Sequence, residues 1–377
     1  MSTLPKCFLC HPTVCAVEND YIIAVPVRVP VFMKIQIGEH TYYNAANGVR
    51  LSDTRVQLFR VDKPVLDAAG HYTVIYQPVY LRLPFYCAKG TEQTRTYAFR
   101  PLREQGDIHI CHISDTHGRR KPAAQAGAFF GGDLDLLLLN GDIQDFSGTI
   151  DQILLPYQIA SDITGGEIPV IISRGNHDLR GTAAQQLHRL WPTANGKTYY
   201  PVRLGRLWFL VMDCGEDKRD SHPEYSGSVA CEPFRKEETD FLEAVTDPAV
   251  FHPEEMRRFV VAHMPFSIRN TEPCKGEEAP FDIENERYDH WCRLLNERVK
   301  PELFFGGHYH ELTVLPNDSP RNTRGLDCPI LIGGRPGARE AYACAQLVLH
   351  EKSATVYFVD QNRQILQRQM VPLSSVE

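Results

Sequence analysis

Five short segments between Asp115 and His310 each place metal-binding donors at the end of an apolar run: HISDTHG, LLLLNGDIQD, VIISRGNHD, VVAHMPF and LFFGGHYH. They carry Asp115 and His117, then Asp142, Asn176 with His177, His263, and finally His308 with His310. Oxygen and imidazole donors without thiolate favour Mn, Fe, Zn, Co or Ni over Cu(I) or an iron–sulfur cluster. So many donors in one crevice are usually collected for two divalent metals about 3.5–4 Å apart. Asp142 stands in the middle of the set, and its two carboxylate oxygens could bridge both ions.

Donors this far apart in sequence can meet only if the fold gathers them. In an open α/β sheet, ligands collect in the crevice outside the carboxyl ends of the strands. Strands are expected over residues 108–113, 134–139, 170–173, 207–212, 259–262 and 303–305, each just ahead of a polar turn. Helices are expected over 150–163, 183–191, 234–245 and 284–299, and further strands near the C-terminal end.

With these residues in view, the chain resembles the calcineurin-like metallophosphoesterases. That family's ordered pattern is D-x-H, G-D, G-N-H-[DE], a lone His after a strand, and G-H-x-H. It is matched here by Asp115-Thr116-His117, Gly141-Asp142, Gly175-Asn176-His177-Asp178, His263 and Gly307-His308-Tyr309-His310. The resemblance implies one metal on Asp115, His117, Asp142 and His310, and a second on Asp142, Asn176, His263 and His308. His177 would stay off the metals and face the substrate with Asn176. It also implies a four-layer αββα sandwich and a phosphate-ester hydrolase that uses a metal-bridging hydroxide. Asp178 is expected to support a ligand or open a helix, and His109, His112 and His188 to pack locally.

Two departures narrow the resemblance. Purple acid phosphatases carry a tyrosine three residues after the bridging aspartate, where this chain has Asp145, and they lack the histidine found here at His117. A colourless, exchangeable metal site is therefore expected. The pairing of D-x-H with G-N-H-D leans towards phosphodiesters. A phosphomonoesterase or protein phosphatase is the alternative, and a non-catalytic metal-binding scaffold a remote one.

The chain changes character near residue 105. Before it come short β-branched and aromatic runs such as DYIIAVPVRV, VFMKIQI and HYTVIYQPVYLRL, separated by turn residues. Recurring short strands suggest an antiparallel sandwich. Its place resembles the fibronectin-III-like domain in front of purple acid phosphatases. The expected domains are thus residues 1–105 and 106–377.

Composition limits the partners. A net charge of −7 argues against a broad basic face for extended nucleic acid, though a small phosphate-ester substrate remains open. No apolar stretch is long enough for a membrane span, so no membrane partner is expected, and no secretory signal is evident. A cytoplasmic protein follows as the expectation, with the oligomeric state undetermined. The eleven cysteines are expected to be reduced thiols. Cys7-x-x-Cys10-His11 matches a haem-attachment spacing, and Cys7, Cys10 and Cys15 could supply three zinc ligands. Plain reduced thiols are the favoured reading. Two charged loops, GEDKRDSHPEYSGS and NTEPCKGEEAPFDIENE, leave the same sheet edge as the donors. Lys218, Arg219, His222, Tyr225 and Arg269 could there contact a phosphate or leaving group, or simply belong to solvated loops with no substrate contact.

Overall fold

The computed structural model describes residues 4–252, 256–269 and 283–373. Its centre is a set of parallel strands, Ile108–Ile113, Leu136–Asn140 and Pro169–Ser173, paired in register so that Ile113 faces Leu139 and Leu139 faces Ile172. Their near-unbroken apolar runs are what a strand covered on both faces requires. Because the ends are level, Asp115, Asp142 and Asn176 leave at one edge. A second parallel set, Leu207–Met212, Arg257–Ala262 and Leu303–Gly306, has Met212 opposite Ala262 and Val261 opposite Phe305. It delivers His263 and His308 in the same way.

The strand Ile330–Pro336 joins the two sets. Its first half pairs with Leu303–Gly306, and its second half pairs with Tyr342–Leu349, which neighbours Ile108–Ile113. Side-chain alternation sorts the layers. Phe209, Val211, Phe259, Val261 and Phe305 point into the core shared with the first sheet. Their neighbours Trp208, Leu210, Met212, Val260 and Phe304 pack with Leu242, Tyr288 and Trp291. Those three sit on the helices Cys231–Val245 and Asn285–Leu294. On the far side, the helices Arg120–Gly127 and Leu155–Thr164 pack against each other and cover the first sheet. This is the expected four-layer αββα arrangement.

The N-terminal segment forms sandwich-like sheets of its own. One face is an antiparallel sheet of Gln93–Ala98, His71–Leu83, Val31–Ile37 and His40–Tyr43. The other is Thr13–Val17, Asp20–Pro26 and Val56–Asp62. Strand pairing does not stop at residue 105, however. Thr13–Val17 runs parallel to Pro169–Ser173, with Val14 opposite Pro169, and so extends the central sheet. Just beyond it, Glu18 bridges to Val202 on the edge of the second sheet. Lys63 ties this junction, its Nζ donating to the carbonyls of Glu18 (3.0 Å) and Arg203 (2.5 Å).

Local departures have local causes. The expected helix over 150–163 is two, Ile150–Ile153 and Leu155–Thr164, with Pro156 opening the second. The first begins in a capping box between Thr149 and Gln152, which ends the loop that leaves Asp142. Residues 183–191 form a 3-10 turn and one short helical turn. The helix Arg120–Gly127 and the edge strands Tyr200–Leu204 and Ile365–Pro372 were not anticipated.

Candidate metal centre

Five of the seven expected ligands sit in left-handed backbone: Asp115 (φ 54°), His117 (43°), Asp142 (52°), His308 (69°) and His310 (54°). Non-glycine residues seldom take this conformation, and each instance costs of order 1–3 kcal/mol unless its surroundings fix it. The loops fix one another. Asp115 N–H donates to Gly141 O (3.0 Å), and His117 N–H donates to Asp142 O (3.1 Å). His177 N–H donates to Asp142 Oδ1 (2.9 Å), and His308 N–H to the Asp115 carboxylate (2.9 and 3.0 Å). Two motif glycines make room for this packing. A Cβ on Gly175 would fall 2.2 Å from Asp142 Oδ1, and one on Gly307 would fall 2.6 Å from Asp115 Oδ2.

The side chains converge as two donor groups with no residue in common, and a third group, His117, Asp145 and His177, overlaps the first. Asp115, His117 and His310 bring one ligand atom each within 4.8 Å of one another, as do Asp142, His263 and His308. In the first group the Nε2 atoms of His117 and His310 face each other at 3.0 Å, and His310 Nε2 lies 3.4 Å from Asp115 Oδ1. In the second, His263 Nε2 stands 3.1 Å from Asp142 Oδ2. Asn176 Oδ1 joins it, 3.0 Å from His308 Nδ1. Asp142 Oδ2 is also 3.9 Å from His117 Nε2, so this carboxylate reaches both groups.

The charge balance fits divalent cations. Asp115 and Asp142 are buried, and among the described residues their ion-pair partners are imidazoles alone. Buried carboxylates need a compensating cation. Without metal, that task falls on His263. Burial opposes a charge there, yet Asp142 and Asp115 outweigh it and hold the imidazole up to about 10. His308 goes the other way, down to about 4, because burial and His263 both disfavour its charge. His263 Nε2 is buried with no hydrogen bond of regular geometry, while its Nδ1 is fixed by Asn140 O at 2.8 Å. An imidazole oriented at one nitrogen and aimed by the other at carboxylates is how a metal-ligating histidine is held.

His177 lies outside these two groups and shares only the third, with His117 and Asp145. Its Nδ1 meets Asp145 O at 2.8 Å, and Arg180 Nη1 lies 3.2 Å from its Nε2. These partners correspond to a neutral ring with the proton on Nδ1. Asp145 also places Oδ1 2.9 Å from His117 Nδ1. Arg180 in turn makes a two-pronged ion pair with Glu216, both contacts at 2.9 Å. Above this edge lies an open cleft of about 650 Å³, lined by His117, Asp145, His177 and His310 together with Arg119, Arg339 and Glu340. A supporting role for Asp145 was not expected from the sequence, nor was Arg180 beside His177, nor Arg119 and Arg339 at the cleft. Asp145 and Arg180 each follow a site residue by three positions, a proximity that alone does not show what they touch.

Other expectations resolve simply. Asp178 supports rather than ligates: its Oδ2 accepts from the backbone N–H of Gly175 and Asp142, and burial together with Asp142 pushes its carboxyl up to about 8. His112 is buried against Asn140, His109 meets Asp133 O, and His188 is exposed. Tyr225 and Lys218 are engaged within their own loop, the tyrosine with Glu216 and Asp217 and the lysine with Asp217 and Glu224. His222 Nδ1 accepts from Glu224 N–H, and Arg269 Nε meets Asn285 Oδ1 at 3.2 Å. Most of the second charged loop, residues 270–282, lies outside the described residues. Cys7, Cys10 and Cys15 are buried free thiols. Cys10 Sγ donates to Tyr157 O, and burial pushes this thiol up to about 12.

Comparison with known proteins bears on this arrangement. The model of the calcineurin-like phosphoesterase family matches residues 108–312. No curated protein matches the sequence. Among solved structures, the purple acid phosphatase PPD1 from yellow lupin superposes with a TM-score of 0.57 at 11% identity, over 96% of this chain and 74% of its own. PhoD superposes with a TM-score of 0.53 at 10% identity, over 99% of this chain and 90% of its own. At such identities these two likenesses speak for the fold.

Proposed function

Because the chain belongs to the calcineurin-like phosphoesterase family, and is therefore a metal-dependent phosphoester hydrolase, we propose that it cleaves phosphodiesters at the centre built by Asp115, His117, Asp142, Asn176, His263, His308 and His310. The observation that carries this reading is the pair of donor groups that Asp142 reaches together, with one further imidazole, His177, beside them. Two divalent ions, when bound, supply Lewis-acid charge and a water of lowered pKa.

The remaining roles belong to the chain. Asn140 O and Asp145 hold the rings of His263 and His117, so these donors need little reorganisation. His177 Nε2 is 4.0 Å from Asp142 Oδ2, at the boundary between the ligand cage and the cleft. From there it could donate a proton to a leaving alkoxide once protonated and released from Arg180. A diester needs that proton and brings one negative charge fewer than a monoester dianion. Arg119 and Arg339 line the cleft and could orient the phosphate oxygens or the rest of the substrate.

The test compares bis(p-nitrophenyl) phosphate with p-nitrophenyl phosphate at equal metal loading. Higher kcat/KM for the diester is expected. A monoester preference of tenfold or more, about 1.4 kcal/mol in the transition state, would replace this reading with a phosphomonoesterase.

A further inference from the structure

The hairpin of His71–Leu83 and Tyr86–Lys89 carries the barest apolar surface in the described residues. Residues 80–86 read YLRLPFY, and all are exposed. Phe85 is fully bare at 103%, Tyr80 stands at 73% and Tyr86 at 60%. At the base of the hairpin is a groove of about 880 Å³, where Tyr80 and Leu81 face Val49 and Leu51. Apolar surface gathered in this way marks an interaction site.

The same groove is cationic. Arg50, Arg55, Arg82 and Arg189 line it against a single acid, Asp53. Arg50 and Arg82 both stack on Phe32, at 4.9 and 5.2 Å from the ring centroid. Arg82 Nη1 also donates to Arg50 O (2.9 Å) and Ser52 Oγ (3.1 Å). Two like charges are thus fixed side by side. Arg55 is paired with Asp151. Among the described residues no carboxylate forms an ion pair with Arg50, Arg82 or Arg189. The hairpin itself, residues 79–91, holds Arg82 and Lys89 and no acid.

Charge selects the occupant. A second copy docked about a twofold would set these guanidiniums against each other. An anionic phospholipid surface matches both halves of the site. Aromatic side chains settle at the headgroup level, and guanidinium forks pair with phosphate. We propose that this face docks on an anionic phospholipid surface, with the Leu83–Tyr86 tip entering the interface and Arg50, Arg82 and Arg189 receiving headgroup phosphates. No described helix is long and apolar enough to cross a membrane. The expectation of no membrane partner rested on the lack of such a span, which a hairpin tip does not need. The far wall of the groove, Ile150, Gln186 and Arg189, lies on the segments that lead away from Asp142 and His177.

The test is co-sedimentation of the full chain with phosphatidylcholine vesicles, and with vesicles that also contain phosphatidylglycerol. Binding is expected only to the anionic vesicles and should weaken as NaCl is raised. The double variant Phe85→Ser/Tyr86→Ser should bind about tenfold or more weakly, and Arg189→Gln about fivefold. All three side chains are exposed, so unchanged circular dichroism should accompany the loss. The proposal is overturned if the anionic vesicles do not bind at low salt, or if plain phosphatidylcholine binds equally well. Wild-type binding by the double variant would overturn it too. So would displacement by inorganic phosphate at matched ionic strength, which would assign the arginines to a free anion, or a dimer lost in the double variant, which would assign the tip to a second copy.

Discussion

The Asp145 carboxylate stands 2.9 Å from Nδ1 of His117, the nitrogen that faces away from the ligand cage. A carboxylate behind a metal-bound imidazole fixes its tautomer and raises its basicity, and losing such a partner typically costs 10–100-fold in metal affinity. Asp145→Ala should therefore weaken one of two metals by roughly that factor, with activity recovering as metal is added. Metal titration followed by calorimetry checks this. Two unaltered affinities would remove Asp145 from the site.

His177 offers the opposite pattern. His177→Ala should lower turnover by about 10²–10⁴, the range for a lost acid–base group, while elemental analysis still finds two metals per chain. Asp142→Asn should instead lose metal and activity together, since that carboxylate reaches both donor groups. If the two variants behave alike, the division between ligand and proton donor is wrong.

Asp145 also bears on colour. The tyrosine that gives purple phosphatases their iron charge-transfer band has no counterpart there, and among the described residues no tyrosine lines the catalytic cleft. Protein loaded with iron should lack an intense visible tyrosinate band. An absorption spectrum decides the matter, and a purple preparation would mean that another phenolate reaches the metal.

Lys63 links stability to pH. Burial lowers its pKa to about 8 from an ordinary 10.5, although Asp67 and Asp20 pull the other way. The folded chain therefore gives up this proton more readily than the unfolded one. Stability should rise with pH between about 8 and 10.5, by an amount of order 1–3 kcal/mol, and this gain is absent below pH 8. The neutral amine keeps two N–H groups for its two carbonyl partners. In Lys63→Met the rise should vanish relative to wild type, and the unpaired carbonyls should cost about 1–3 kcal/mol near neutrality. Urea unfolding across the pH range measures both effects.

Much of the metal centre was readable in the sequence because strand exits are local. An apolar run such as LLLLN followed by Gly141-Asp142 announces both the strand and the donor at its end. Asp145 and Arg180 were harder, since their importance lies in what they touch and spacing alone does not reveal contacts. The role of Thr13–Val17 was not readable at all. TVCAV looks like any buried strand, and its choice of Pro169–Ser173 as neighbour is a long-range event. The helix Arg120–Gly127 was hidden by Pro122 and Gly127 at its two ends, and the edge strand Ile365–Pro372 by its polar, largely exposed residues.

The pairing of Val14 with Pro169 also sets a timetable. A ribosome that has just made the first strand must add about 155 residues before its neighbour exists, a wait of roughly 8–30 s at usual elongation speeds. During that interval TVCAV has only its antiparallel partner Asp20–Pro26 to occupy one edge, and the other edge is open to strangers. A nascent chain of this design should depend on holdase chaperones more than its later portion would alone. Trimming the first twenty residues would not relieve the problem, because it would uncover Pro169–Ser173 permanently.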